Sequence, residues 1–238
     1  MSETQAAVDL REKGGPKDGQ PQLLDKRLFC QLQAFGGCDD SSALAKALAA
    51  ASVEGVLYED VHDPRGVAVL AMTEVASELL SKVRPVLRSG PFSGLVHKPQ
   101  HAMVGRTYAL GYEPNLEEWL LKKPRRTTLD KEWPWAVWYP LRRTGAFSQL
   151  PRPEQGQILR EHGIIGRAFG DAGLARDVRL ACTGIDPHDN DFVIGLMGKD
   201  LHPLSALVEA MRVTKQTSGY IESMGPFFVG RAVWQSPL

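Results

Sequence analysis

One order of elements reads twice along this 238-residue chain, and that repetition limits its folding more than any single residue does. Leu28 to Phe35 alternates like a half-buried strand and stops at Gly36-Gly37. Asp40 or Ser41 can cap a helix running through the alanine-rich stretch to about Ala51. A strand near Val56-Leu57-Tyr58 follows, and the apolar run from Gly66 to Met72 predicts a buried one. Thr73 suits the N-cap of a second helix, Glu74 to Val83, closed by Pro85.

The second half has the same grammar. Trp135 to Tyr139 reads as a strand stopping at Pro140, and a helix follows from about Pro153 to Phe169. Val178 to Cys182 and Phe192 to Met197 read as strands split by a turn-rich segment. A helix from about Leu204 to Arg212 and a strand over Phe227 to Gly230 end the pattern. Strand-helix-strand-strand-helix is the order of a ferredoxin-like α+β unit. The chain is therefore read as two tandem ferredoxin-like units packed together, alike in pattern but not in residues. The units span 25–112 and 134–238, after a disordered leader over 1–24 and with a basic connector over 113–133. That connector carries Lys122, Lys123, Arg125 and Arg126 around Pro124, a solvated loop or an anion clamp.

Composition excludes several classes. Lys+Arg and Asp+Glu both number 28, so no global charge draws the chain to nucleic acid or an anionic membrane. Three cysteines without CxxC spacing argue against a disulfide framework or a structural zinc site, and fit reduced thiols in a cytoplasm. The first 22 residues are polar and lack the apolar core of a secretory signal. No apolar run is long enough to span a bilayer, so the expectation is a soluble, cytoplasmic protein. The segment Asp186 to Asp191 is rich in oxygen donors but lacks the Gly and closing Glu of an EF-hand, and reads as a polar turn.

His162 is the candidate ligand. On the predicted helix, Ile158, His162, Ile165 and Phe169 fall at i, i+4, i+7 and i+11, so the imidazole projects from an apolar stripe. Gly163 and Gly166 remove side chains beside it. A helix face of this kind suits either a satisfied core histidine or a flat, bulky ligand such as a haem.

From Trp135 to Arg231 the chain resembles the chlorite dismutase-like haem proteins, and within them the coproheme decarboxylases. The resemblance rests on Trp138-Tyr139-Pro140-Leu141-Arg142-Arg143, Glu161-His162-Gly163-Ile164-Ile165-Gly166-Arg167 and Val178-Arg179 leading into Gly184-Ile185-Asp186 and Asp191-Phe192. Met211-Arg212 and Gly225-Pro226-Phe227-Phe228-Val229-Gly230 complete it. It implies the dimeric α+β barrel fold, a homopentameric ring, and a bound iron coproporphyrin III or haem b. It makes His162 the proximal iron ligand, Tyr139 a radical relay beside a propionate, and Arg179 the distal group. Arg125, Arg126, Arg143 and Thr217 align loosely with groups that hold propionates. Relatives bond the proximal histidine to a carboxylate from the later helix. Here Lys215 and Gln216 stand nearest that position, and Glu209 or Glu222 would have to substitute. The implied activity is peroxide-dependent decarboxylation of coproheme to haem b. The alternatives are chlorite dismutation or haem peroxidase chemistry through Arg179, or haem binding without catalysis.

Overall fold

The computed structural model describes residues 8–238. A hairpin of β1 (Glu12–Lys17) and β2 (Gln20–Leu24) leads into β3 (Phe29–Gly36), α1 (Ser41–Ala50), β4 (Gly55–Asp60) and β5 (Val67–Thr73). A π-helical turn, Leu79–Val83, runs into α2 (Arg84–Leu87); β6 (Val96–His97) and β7 (Met103–Arg106) follow. A second π-helical turn, Glu118–Lys122, opens into α3 (Lys123–Leu129). The second half comprises β8 (Trp135–Arg143), α4 (Gly145–Gln149), α5 (Arg152–Asp171), β9 (Arg176–Ala181) and β10 (Phe192–Gly198). It ends with α6 (Leu201–Arg212), α7 (Lys215–Tyr220), β11 (Ile221–Met224) and β12 (Phe228–Gln235).

The strands of both halves form one sheet. The pairing order β10-β9-β7-β3-β5-β4-β12-β8, with β8 also paired to β10, closes on itself as an eight-stranded antiparallel barrel. The two expected units thus share a single barrel, as the dimeric α+β barrel expectation required. The period-2 alternation of strands sorts the side chains. Cys30, Leu32, Leu70, Val178, Leu180 and Trp138 fill the interior. Val67, Val69 and Ala71 face outward onto α1 and the first π turn, and Val137, Tyr139 and Leu196 face outward toward α5 and α6. Trp138 is fully buried. It lies opposite Gly195 on β10, where any Cβ would collide with the indole ring.

Several expectations are corrected. Residues 1–7 of the expected leader lie outside the described residues, and 12–24 is the β1–β2 hairpin rather than disordered chain. Its half-buried Gly14 allows close approach to Leu116, and Gln22 donates to the Gly15 and Glu113 carbonyls, which ties the hairpin down. Pro85 does not close the second helix; it sits at the start of α2, following the π turn. Pro140 does not end β8. Its carbonyl accepts from Gly225 N, so its nitrogen faces the gap between the end of β11 at Met224 and the start of β12 at Phe228. No ladder bond is lost there. The connector is helical, with Leu120, Leu121 and Leu129 joining the barrel interior. Of its cations, Lys122 and Arg126 are exposed, while Lys123 and Arg125 are half-buried.

Candidate functional site

Helix α5 begins with Pro153 and Glu154 in its first turn, residues that suit a helix N-terminus through a fixed φ and a favourable charge. Its inward stripe is the one the spacing predicts, yet Ile158 is the only fully buried residue of the helix. His162, Ile165 and Phe169 are half-buried. The helix therefore stands partly off the barrel wall. At Gly166, Met211 of α6 comes within 3.5 Å of where a Cβ would sit, so this glycine sets the approach of the two helices.

His162 Nδ1 lies 3.3 Å from Thr214 Oγ1, the N-cap of α7. Burial lowers the imidazole pKa from its ordinary value. The positive charges of Arg179 and Arg143 push the same way, against Asp177 and Glu161. The ring is neutral at pH 7, the form that donates to a metal.

The barrel wall supplies the opposite side. Tyr139 on β8 pairs across to Ile194 on β10, which pairs across to Arg179 on β9, so the three side chains form a row on the outer face. Tyr139 stacks on Phe227 at 4.6 Å between ring centroids. Burial, with Asp177 adding to it, raises its phenol pKa and keeps the proton on the oxygen. Arg179 Nε contacts Asp177 Oδ2 at 3.0 Å. A cavity of about 30 Å³, bounded by Tyr108, Trp119, Lys123 and Arg179, adjoins this pair. It has room for a molecule the size of a water or a peroxide.

Arg143, at the end of β8, holds its guanidinium 4.5 Å from the ring centres of both Phe147 and Phe192. Its Nε is buried and has no hydrogen-bond partner among the described residues. Burial lowers its pKa, against Tyr108 and Asp191, but guanidinium remains charged at any pH a protein meets. A cleft of about 290 Å³ is lined by Arg212, Thr217, Ile221 and Met224 among others.

A sequence model of chlorite dismutase matches residues 68–233, well over half of the chain. The chain belongs to the chlorite dismutase family. The family assignment extends the resemblance read from the second half back into β5 of the first. Solved structures agree on the fold. A heme-binding protein from Thermus thermophilus is similar with a TM-score of 0.69 at 19% identity, covering 88% of this chain and 92% of its own. Chlorite dismutase from Candidatus Nitrospira defluvii, in complex with imidazole, is similar with a TM-score of 0.68 at 12% identity over 88% and 92% of the two chains.

Within this family member, the structure brings together His162, Tyr139, Arg179, Arg143 and Thr217 around the space between α5 and the barrel. It does not bring Arg125 or Arg126 there. Arg125 is held by Glu54 at 2.5 Å and Glu74 at 3.1 Å, on the β4–β5 side. Arg126 pairs with Glu118 at 2.5 Å on the exposed face of the connector. Neither Glu209 nor Glu222 bonds His162: Glu209 is exposed on α6, and Glu222 lies 4.0 Å from Arg142. Sequence reasoning missed Thr214 and Asp177, and held Phe227 only as part of a motif, without its place against Tyr139. Thr214 could have been found as the Ser/Thr N-cap of a short helix just after α6. Asp177 lies two positions before Arg179 on a strand, hence on the same face.

Proposed function

We propose that this chain holds an iron tetrapyrrole between α5 and the outer face of β8, β10 and β9, and decarboxylates it oxidatively with hydrogen peroxide. The residues present suit the group. A neutral imidazole, its Nε2 without a hydrogen-bond partner among the described residues, points from a helix whose inward apolar side chains remain half-covered. Arg143 presents an unpaired buried donor, which a propionate carboxylate would satisfy. That a similar protein is described as heme-binding supports the same reading.

His162 would hold the iron, Arg143 and Thr217 would bind carboxylates, and Arg179 would bind or polarise the oxidant from the side of the small cavity. When bound, the iron supplies one-electron oxidation driven by peroxide. Tyr139 gives up the proton and an electron from its phenol and recovers them as a hydrogen atom from the propionate side chain. Each propionate loses carbon dioxide and one hydrogen to become a vinyl group. One peroxide, taking up a further proton, is reduced to two waters. Stacking on Phe227 holds the phenol ring in place through this exchange.

The observation that carries the reading is the placement of a buried, protonated Tyr139 in one row with Arg179 on the face that His162 overlooks. The test is incubation with ferric coproheme and peroxide, followed by product mass. Stepwise loss of two carboxyl groups, abolished in Tyr139→Phe with binding retained, is the expected result. Coproheme that bleaches without decarboxylation overturns it.

A second reading, chlorite dismutation, is favoured by Arg179 beside its small cavity and by the withdrawal of Arg125 and Arg126 from the site, which leaves fewer cations for four propionates. Oxygen release from chlorite by the haem-loaded chain, lost in Arg179→Ala, would select it.

A further inference from the structure

We infer that Thr214 is the positioning residue for His162: its hydroxyl oxygen fixes the imidazole as the Nδ1–H tautomer through an uncharged acceptor. This rests on the haem reading only for its consequence at the metal. The tautomer is a property of the chain alone.

Counting protons decides the direction of the bond. A threonine hydroxyl has one hydrogen to give and two lone pairs to fill. Thr214 Oγ1 lies 2.7 Å from the Met211 carbonyl, an acceptor only, so the hydroxyl proton goes there. The Thr217 amide donates to the same oxygen at 3.3 Å, as an N-cap requires. One lone pair remains, with His162 Nδ1 and Thr217 Oγ1 both 3.3 Å away. The Thr217 hydroxyl can turn its proton to the cleft it lines, whereas the ring can accept nothing here, because the Thr214 proton is already given. The ring must therefore donate, carrying its proton on Nδ1 and leaving the lone pair on Nε2. A carboxylate in this place would pull the proton and make Nε2 a stronger donor. An uncharged hydroxyl already bonded to two other groups pulls less.

The surroundings hold this arrangement. Glu161, next to His162, accepts from Lys215 N at 2.9 Å, which pins the start of α7 to α5. The same bond occupies one oxygen of the carboxylate nearest in sequence to His162. Asp177, the other acid acting on the ring, is drawn to Arg179.

The test is the ring ¹⁵N NMR pattern of His162 in the full chain without tetrapyrrole, at about pH 8, above the ordinary imidazole range. The expected result is a dominant Nδ1–H pattern in the wild type and in Thr214→Ser, giving way to Nε2–H in Thr214→Val. An Nε2–H pattern in the wild type overturns the inference, and that measurement decides even where Thr214→Val does not fold. So does a Thr214→Val spectrum, from folded protein, that matches the wild type. In the haem-loaded chain, Thr214→Val weakens uptake by about 10-fold, the lower end of what losing such a partner costs. Thr214→Asp, which keeps the cap and adds a charged acceptor, raises the iron–histidine stretching frequency. An unchanged frequency overturns the uncharged-acceptor part. A wild type that takes up no haem would sink the proposed function and leave the tautomer result standing.

Discussion

A guanidinium wedged between two phenyl rings with its Nε unpaired is costly in the protein alone and useful to a ligand. Arg143→Met keeps the volume and removes the charge. In the absence of ligand it is expected to raise stability by about 1 kcal/mol, because an unpaired buried ion is replaced by an apolar chain. In a thermal melt that is roughly 2–4 °C. Haem affinity should move the other way, by about tenfold, the value of one charge-assisted hydrogen bond. Opposite signs in the two measurements separate a ligand-binding arginine from a structural one. Tyr139 carries a pH prediction. Burial raises its folded pKa above the ordinary value near 10, so the phenol is protonated throughout the neutral and mildly alkaline range. Turnover should therefore show no loss from phenol ionisation between about pH 7 and 10. A fall near pH 9 that tracks a phenolate absorbance present in the wild type and missing from Tyr139→Phe would contradict this. At this scale His162 was legible from its stripe, because helical periodicity is local. Thr214 was not: its contact with His162 depends on how α7 docks on α5.

The helix α3 and the strand pair β8–β10 show what packing adds to local pattern. Four cations around Pro124 suggest a solvated loop or an anion clamp, yet the same stretch places Leu120, Leu121 and Leu129 in the barrel interior. The leucine spacing was present in the sequence, but charge density hid it. Arg125→Ala should therefore lower stability by about 1 kcal/mol, as half-exposed ion pairs to Glu54 and Glu74 are lost, and leave haem affinity unchanged. Reduced haem uptake in that variant, with stability intact, would return Arg125 to the site. On β10, Gly195→Ala drives a methyl into the indole of Trp138. The cost is about 1–3 kcal/mol, read as a lowered denaturation midpoint, and no ligand contact is touched. The strand alternations were readable because each side chain's face follows from period 2. The passage of β8 through Pro140 was not, since it depends on two partner strands meeting opposite that residue.

The whole molecule is one barrel to which both halves contribute. The tandem grammar predicted two units, and the structure merges their strands into a closed ring of pairings, β4 to β12 on one side and β7 to β9 on the other. Closure is a long-range property, invisible to patterns read a dozen residues at a time. Each half alone would expose the apolar interior and two open strand edges. The chain should accordingly unfold in one transition, and residues 25–112 or 134–238 expressed alone should fail to give a cooperative melt. A cooperative melt of either fragment would show the barrel to be less integrated than its pairing implies. All of this architecture positions one helix over one wall, and the proposed function turns on the nitrogen that the helix presents there. The most direct measurement is a ferric haem titration of the wild type and His162→Ala, followed at the Soret band. Uptake by the wild type with a shifted Soret band, lost in a folded His162→Ala protein, is the result expected. A variant that takes up the pigment with the same affinity and the same band would contradict the assignment of His162 as the iron ligand.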